Sequence, residues 1–280
     1  MTDITPEFQY ITGQIRTSFG PLLADFEKQN VQALSQNKWE LDVPYGQHPR
    51  QTFDVCFSNL PAKGTVIYFH AGYWQSRDKS QFRFLARDFN ALGWHAVLVN
   101  YPLCPEVGIP EIVKSANEAI KQIVDHQLSK NRVGPLVLSG HSAGAHLVVE
   151  IALHLARTSE ALRLPVAGIL PISGIFDLEP LVMTTLNQRL KLDSDQARLC
   201  SPVHRASKDA VPAMFLVGET ETPAFHAQSR DMALAWQAQD NQATLDTLKD
   251  TDHFSILNQL CVPQGKVDLT LQVWAQQKSH

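Results

Sequence analysis

The pentapeptide GHSAG at residues 140–144 carries the clearest chemical signal in the sequence. It follows the apolar run PLVLS at 135–139 and opens the apolar stretch 143–156, so a strand, a sharp turn and a helix are expected. Ser142 then lies at the apex, and His141 is expected to point away from its hydroxyl. This pattern is typical of a nucleophile elbow, which exposes a serine hydroxyl for attack on a carbonyl carbon.

A serine hydroxyl is a weak nucleophile at neutral pH and needs a base within hydrogen-bond reach. His253 fits this role best, because it lies in the loop DTDHF at 250–254, directly after the last predicted strand. A histidine there can reach over the elbow in the chain order serine, acid, histidine. His146 lies one helical turn after Ser142, and we interpret it as a structural residue or a wall of the site.

The acid partner of the histidine is expected in the loop GETETP at 218–223, which follows a predicted strand. This loop contains no aspartate, but Glu221 stands where one is expected, 32 residues before His253. That separation accommodates one helix and one strand, and glutamate serves as the acid in some hydrolases. The alternative carboxylates are Glu219, Asp252 and Asp177.

An oxyanion hole needs N–H donors that are already aimed at the developing negative charge. The N–H of Ala143 is one candidate, because it follows the nucleophile at a helix N-terminus. Gly72 and Tyr73 are the others, in the loop HAGYW at 70–74 after a predicted strand. Ala71 stands where such loops often have glycine, and it would be strained if that position required a positive φ.

These residues need a scaffold in which strands and helices alternate. Strands are expected at 40–43, 52–57, 65–69, 95–100, 135–139, 166–171, 213–217 and 244–248. Helices are expected at about 5–35, 111–126, 143–156, 224–239 and 264–278, with a break at Gly20-Pro21. The first two strands have no helix between them and should pair antiparallel, whereas the later units predict a mostly parallel sheet covered on both faces.

This element order predicts the α/β-hydrolase fold as a single domain over residues 1–280. Residues 174–210 are too many for a simple connection, and we expect them to form a small, partly helical cap region.

Composition narrows the classes of partner. The chain has 280 residues, is 44% hydrophobic and carries a net charge of −4 without a basic block, so neither nucleic acid nor membrane is an expected partner. The four cysteines lack metal-ligand spacing, so neither a metal site nor a disulfide framework is expected. No signal peptide or membrane-spanning run is evident, and a cytoplasmic protein without a cofactor is expected. A homodimer is compatible with the sequence.

Several longer stretches resemble the kynurenine formamidase (arylformamidase) branch of the α/β hydrolases. They are VPYG at 43–46, HAGYWQS at 70–76, GHSAGAHL at 140–147, SGIFDLEP at 173–180 and DHF at 252–254. The elbow is shared by many hydrolases, whereas the Tyr-Trp-Gln and Ser-Gly-Ile-Phe-Asp segments are more specific. The loop after Gly218 resembles the family's acid loop and places Glu221 on the family's aspartate. The departures from the family pattern are Ala71 and Glu221.

The resemblance implies hydrolysis of an N-formyl amide, such as N-formylkynurenine, through a formyl-serine intermediate on Ser142. It also implies a narrow acyl pocket beside a larger leaving-group pocket, with Tyr73, Trp74, His146 and Phe176 as substrate-binding residues. The alternatives are a hydrolase of another N-formyl or N-acyl enamide from heterocycle catabolism and a short-acyl carboxylesterase. A non-catalytic binding protein is disfavoured, because the set of Ser142, Glu221 and His253 is complete.

Overall fold

The computed structural model describes residues 4–158 and 162–276, which build an eight-stranded sheet. The strands are β1 Lys38–Pro44, β2 Thr52–Phe57, β3 Thr65–Phe69, β4 His95–Val99, β5 Leu136–His141, β6 Val166–Ile172, β7 Ala213–Gly218 and β8 Ala243–Leu248. Their order is β1-β2-β4-β3-β5-β6-β7-β8, and only the β1–β2 and β2–β4 pairs are antiparallel. The predicted α/β fold with a mostly parallel sheet is confirmed.

Helices cover both faces of this sheet. They are α1 Pro6–Tyr10, α2 Phe19–Gln36, α3 Arg83–Ala91, α4 Ile109–Ser129, α5 Ala143–Thr158, α6 Asn187–Leu190, α7 Ser194–Leu199, α8 Pro223–Gln237 and α9 Lys266–Ala275. The predicted C-terminal helix corresponds to α9, and its last positions, 277–278, lie outside the described residues. No helix in the described ranges combines the length and apolar character needed to cross a bilayer.

Side chains of the central strands alternate between two cores, one on each face. In β3, Ile67 and Phe69 belong to the core that includes residues of α4, α5 and α8, whereas Val66 and Tyr68 belong to the core that includes residues of α2, α3 and α9. Every residue of β3, β5 and β7 is buried, as expected for parallel strands that are covered on both sides. The sheet therefore provides a rigid base for the loops at its carboxyl edge.

The N-terminal segment departs from the prediction. The predicted break at Gly20-Pro21 is wrong, because α2 already begins at Phe19 and the interruption lies at 15–18. Pro21 falls in the first turn of α2, where the missing N–H removes no intrahelical hydrogen bond.

The region 174–210 contains α6 and α7 together with the short 3₁₀ helices Glu179–Met183 and Pro202–Arg205. The Glu7 carboxylate of α1 accepts hydrogen bonds from the backbone and hydroxyl of Thr185, so the N-terminal segment and this region are joined. That the region acts as a cap, and that the whole chain is one domain, stay predictions.

The chemically interesting residues all follow strands at their carboxyl ends. Ser142 follows β5, Ser173 follows β6, Glu221 follows β7 and His253 follows β8, while the loop that begins at His70 follows β3. Parallel strands bring these ends to one edge of the sheet, which is where ligands bind in such folds.

Candidate active site

The turn between β5 and α5 holds Ser142 in a left-handed conformation, with φ of 56°. Its glycines are required by close backbone contacts. A Cβ on Gly144 would lie 2.0 Å from the Phe69 carbonyl oxygen, and one on Gly140 would lie 2.3 Å from the Gly144 carbonyl oxygen. The Ser142 N–H donates to the Ile172 carbonyl at 2.8 Å, which fixes the turn to the neighbouring strand. This is the strained strand-turn-helix geometry of a nucleophile elbow.

His253 and Glu221 form a buried pair beside the elbow. The imidazole Nδ1 of His253 donates to Glu221 Oε2 at 2.7 Å, and both side chains are almost completely shielded from solvent. This bond fixes the tautomer that leaves Nε2 as the acceptor nitrogen of the imidazole. The pair therefore has the arrangement of a general base held by a carboxylate.

The second carboxylate oxygen of Glu221 is held from two sides. Oε1 accepts the backbone N–H of Gly218 at 2.7 Å and the hydroxyl of Ser173 at 2.5 Å. Ser173 is completely buried and left-handed, with φ of 47°. Ser173 begins the SGIFDLEP segment, but nothing in the local sequence indicates that its hydroxyl reaches Glu221 across 48 residues.

The Ser142 hydroxyl is 1% exposed and forms no hydrogen bond with any described residue. The bond to His253 that proton transfer requires is therefore not formed in this structure. Such bonds commonly tighten only when substrate is bound.

The other carboxylates considered for the acid are engaged elsewhere. Asp252 accepts N–H groups of the turn that follows His253. Glu219 is exposed and accepts the N–H of residue 250, while Asp177 accepts the N–H of residue 179. Of the four candidates, Glu221 is the one that contacts His253.

The loop after β3 contains three consecutive residues with positive φ. They are Gly72 at 133°, Tyr73 at 51° and Trp74 at 58°. A Cβ on Gly72 would lie 2.1 Å from the Ser76 carbonyl oxygen, so glycine is required there, whereas Ala71 has no positive φ and bears no such strain. In the described part of the chain, the N–H groups of Gly72, Tyr73 and Ala143 have no backbone or side-chain acceptor, so they are available to a ligand.

Comparisons with known proteins agree with this geometry. Residues 66–257 match the family Abhydrolase_3, described as the alpha/beta hydrolase fold. The kynurenine formamidase of Danio rerio is 32% identical over 238 residues, which are 81% of this chain and 79% of that protein. The Drosophila melanogaster kynurenine formamidase is 24% identical over the same shares. This chain belongs to the kynurenine formamidase-like branch of the α/β hydrolases.

Solved structures of other proteins also resemble this hydrolase. A protein of Silicibacter sp. TM1040, provisionally described as a thioesterase, superposes with a TM-score of 0.82 at 29% identity, covering 95% of this chain and 98% of that one. An esterase/lipase from an uncultured bacterium has a TM-score of 0.72 at 18% identity, covering 97% and 96%. At that identity the second likeness concerns the fold alone.

Two of the predicted substrate-binding residues of this hydrolase pack together. Trp74 is completely buried with its ring 5.1 Å from that of His146, and its indole N–H has no partner among the described residues. His146 Nε2 donates to the Cys200 carbonyl at 2.8 Å. Burial lowers the pKa of His146, so its imidazole is neutral at physiological pH.

The other two predicted substrate-binding residues point to neighbouring segments. The Tyr73 hydroxyl donates to the Tyr10 carbonyl, and burial raises the Tyr73 pKa. Phe176 is buried in the core with its ring 5.7 Å from that of Phe215, beneath Gly174. Contact of these two side chains with a substrate stays a prediction.

His141 lies closer to the base than the sequence suggests. Its ring centroid is 4.6 Å from that of His253. Burial, reinforced by the neighbouring His253, lowers the pKa of His141 well below its usual value. His141 is therefore neutral at physiological pH and places no cation beside His253.

The N-terminal segment supports the acid loop from outside. The Gln14 amide donates to the Thr222 hydroxyl at 2.6 Å, and that hydroxyl donates to the Gln9 carbonyl at 2.6 Å. Gln228 of α8 donates to the Tyr10 hydroxyl at 2.7 Å. Sequence reasoning did not find these contacts, because they join residues more than 200 positions apart.

Proposed function

We propose that this hydrolase is a serine formamidase that removes the formyl group from an arylamine of the N-formylkynurenine type. The observation that carries the proposal is the buried Glu221–His253 pair, with its 2.7 Å bond, next to a left-handed serine on a nucleophile elbow. The formamide substrate is supported by the kynurenine formamidase relative, which is 32% identical.

In the first step, Ser142 Oγ attacks the formyl carbon while His253 Nε2 accepts the hydroxyl proton. Glu221 stabilises the resulting imidazolium through the bond to Nδ1. The carbonyl oxygen becomes an oxyanion and accepts hydrogen bonds from the free N–H groups of Gly72, Tyr73 and Ala143. The positive end of the α5 dipole adds to this stabilisation, because Ala143 is the first residue of that helix.

In the second step, the protonated His253 gives its proton to the amide nitrogen, and the C–N bond breaks. This transfer is needed because an amide anion is a poor leaving group. The amine departs and leaves a formyl ester on Ser142. A water molecule then attacks this ester, with His253 again as the base, and formate is released.

The enclosure of Ser142 favours a very small acyl group. Its hydroxyl is shielded, and both Trp74 and His146 on the neighbouring elements are completely buried. A formyl group has only a hydrogen on its carbonyl carbon, so it requires less space than an acetyl or longer chain.

A substrate panel tests the proposal. The purified protein is assayed at equal concentrations of N-formylkynurenine, formanilide and p-nitrophenyl acetate, with Ser142→Ala as the control. We expect release of formate from the formamides by the unchanged protein and none above background by Ser142→Ala. Turnover of the ester alone would identify a short-acyl esterase and would contradict the formamidase proposal.

A second experiment tests the serine mechanism itself. A fluorophosphonate probe should add one adduct per chain by intact mass measurement, and peptide mapping should locate the adduct on Ser142. Folded protein that resists labelling, while Ser142→Ala retains any activity present, would contradict nucleophilic catalysis by this serine.

A further inference from the structure

Arg77 is a half-buried cation without a carboxylate partner. No acidic group in the described ranges lies within ion-pair distance of its guanidinium, and no hydrogen bond from that group to a described residue is formed. Two nearby arginines differ, since Arg50, which donates to the Arg77 carbonyl, pairs with Asp78, and Arg83 pairs with the buried Asp54. Partial burial of an unpaired charge costs free energy, which a bound anion would recover.

Arg77 lies beside the catalytic residues. It ends the loop that carries the oxyanion-hole candidates, and its Cγ is 3.0 Å from where a Cβ on Gly72 would lie. Its guanidinium carbon is 5.7 Å from the ring centroid of Phe254. The ring of Phe254 in turn packs edge-on against that of His253, at a centroid distance of 5.1 Å. One aromatic side chain therefore separates this cation from the base.

Arg77 and Phe254 also line an open groove of about 480 Å³. Its other walls are α2 and the 3₁₀ helix Lys79–Phe82, which contribute the apolar side chains of Leu23, Phe26 and Phe82. Among the lining residues, Glu27 is exposed to solvent, where its charge is screened. The groove thus combines apolar walls with one cation that is free to bind an anion.

We propose that this groove receives the leaving-group half of the substrate and that Arg77 binds a carboxylate carried by it. The ligand class is an arylamine bearing a carboxylate on its side chain, with the aromatic ring against Phe254. This inference rests on the proposed function and deepens it, since it assigns the specificity of the same reaction. A guanidinium suits the role because its planar donors match a carboxylate with two parallel hydrogen bonds.

Matched substrates test this subsite. The kcat/KM for formate release is measured with N-formylkynurenine and with its α-carboxyl methyl ester, which lacks the negative charge. We expect a preference of about tenfold to a hundredfold for the free acid, the range of a charge-assisted hydrogen bond. Arg77→Gln should abolish the preference through KM, whereas Arg77→Lys should retain part of it.

Arg87→Gln is the control variant, because it removes the same charge from an arginine that is paired with Asp88 and does not line the groove. It should keep the full preference for the free acid. Equal losses on both substrates in Arg77→Gln, or no loss on either, would overturn the assignment. A thermal melt of each variant confirms that it is folded.

Aryl esters separate this inference from the proposed function. If no formamide is cleaved, 3-carboxyphenyl acetate and phenyl acetate are compared in the same variants. A preference for the carboxylated ester that disappears in Arg77→Gln would uphold the anion subsite while the formamidase proposal fails. The absence of any such preference would overturn the subsite as well.

Discussion

The Ser173 hydroxyl donates a 2.5 Å hydrogen bond to the same carboxylate of Glu221 that holds His253. Together with the Gly218 N–H, it fixes Oε1 while Oε2 bonds the imidazole. Glutamate has one more rotatable bond than aspartate, so an acid of this length needs such additional contacts to present one oxygen to the histidine. Ser173 reaches it from a left-handed backbone, which is strained for a residue other than glycine.

Replacement of Ser173 should therefore lower kcat while leaving KM nearly unchanged. Ser173→Gly removes the hydroxyl and relieves the left-handed strain, and Ser173→Ala removes the hydroxyl and keeps the strain. We expect both to lose about tenfold to a hundredfold in kcat, because a hydrogen bond to a charged group is lost. Formate-release kinetics over a range of pH measure this.

Thermal melts of the same two variants separate catalysis from folding. Ser173→Gly should be the more stable variant, yet its kcat should be as low as that of Ser173→Ala. If kcat followed stability instead, Ser173 would be structural only. A shift in the pH dependence of kcat, shared by both variants, would reflect the altered Glu221–His253 pair.

Glu221→Gln should be the most damaging conservative change in the acid loop. It keeps the shape but removes the charge that stabilises the imidazolium, and an amide in place of a triad aspartate lowers kcat by about 10⁴ elsewhere. Glu221→Asp keeps the charge and shortens the side chain, so it should lose less. Steady-state kinetics with Glu219→Gln as the control check this, and near-normal activity in Glu221→Gln would exclude Glu221 as the acid.

The close backbone contacts of the elbow predict that one added methyl group, in Gly144→Ala, strongly destabilises the protein. In Gly144→Ala, the new Cβ would lie 2.0 Å from a backbone oxygen, which cannot move independently of β3. We expect a destabilisation of about 3 kcal/mol and a fall in melting temperature of about 6 °C or more. Soluble yield and thermal unfolding followed by circular dichroism measure this.

Gly20→Ala is the matched control, because nothing lies within 4 Å of the added Cβ. Alanine favours the helix by about 1 kcal/mol over glycine, and the following Pro21 offsets part of that gain. Its melting temperature should stay within a few degrees of the unchanged protein. Similar losses in both glycine variants would contradict the role given to the elbow contacts.

Buried histidines predict a loss of stability in mild acid. Burial, assisted by the charge of Arg50 and opposed by the hydrogen bond to the Ala71 carbonyl and by Asp78, lowers the pKa of His70 to about 4. The unfolded chain binds this proton at about pH 6.5. Between these values only the unfolded state is protonated, so stability is full above pH 6.5 and falls as the pH decreases towards 4.

The slope contributed by His70 should be about 1.4 kcal/mol per pH unit. Urea unfolding at several pH values between 4.5 and 7 measures it as the difference between the unchanged protein and His70→Gln. His141 and His146 also have lowered pKa values, but their contributions cancel in this difference. Parallel stability curves for the two proteins would contradict the prediction.

The sequence predicts the fold and the chain positions of the site well, because both are local signals. Five consecutive residues predict the elbow, and short apolar runs predict the strands. His253 and Glu221 follow from their positions after predicted strands, and the structure brings them within 2.7 Å. The predicted break at Gly20-Pro21 is wrong because this dipeptide is typical of a helix interruption, although proline is also compatible with the first turn of a helix, where Pro21 lies.

The remaining features of the site depend on side-chain directions that no local pattern encodes. Ser173 reaches Glu221 across 48 residues, and the Tyr73 hydroxyl turns to Tyr10 across 63 residues. Arg77 reads in the sequence as one more charged loop residue, and only the structure shows that it lacks an acidic neighbour in the described ranges. Contacts of this kind are set by how loops from different strands meet.

The contacts between the N-terminal segment and the acid loop also have a consequence for biosynthesis. Gln14 and Gln9 bond Thr222, and Tyr10 bonds Gln228, across 208 to 218 residues. At ribosomal rates of 5–20 residues per second, these partners are synthesised roughly 10 to 40 s after the N-terminal residues. The support around Glu221 can therefore form only after Thr222 and Gln228 have been synthesised, long after the N-terminal segment has left the ribosome.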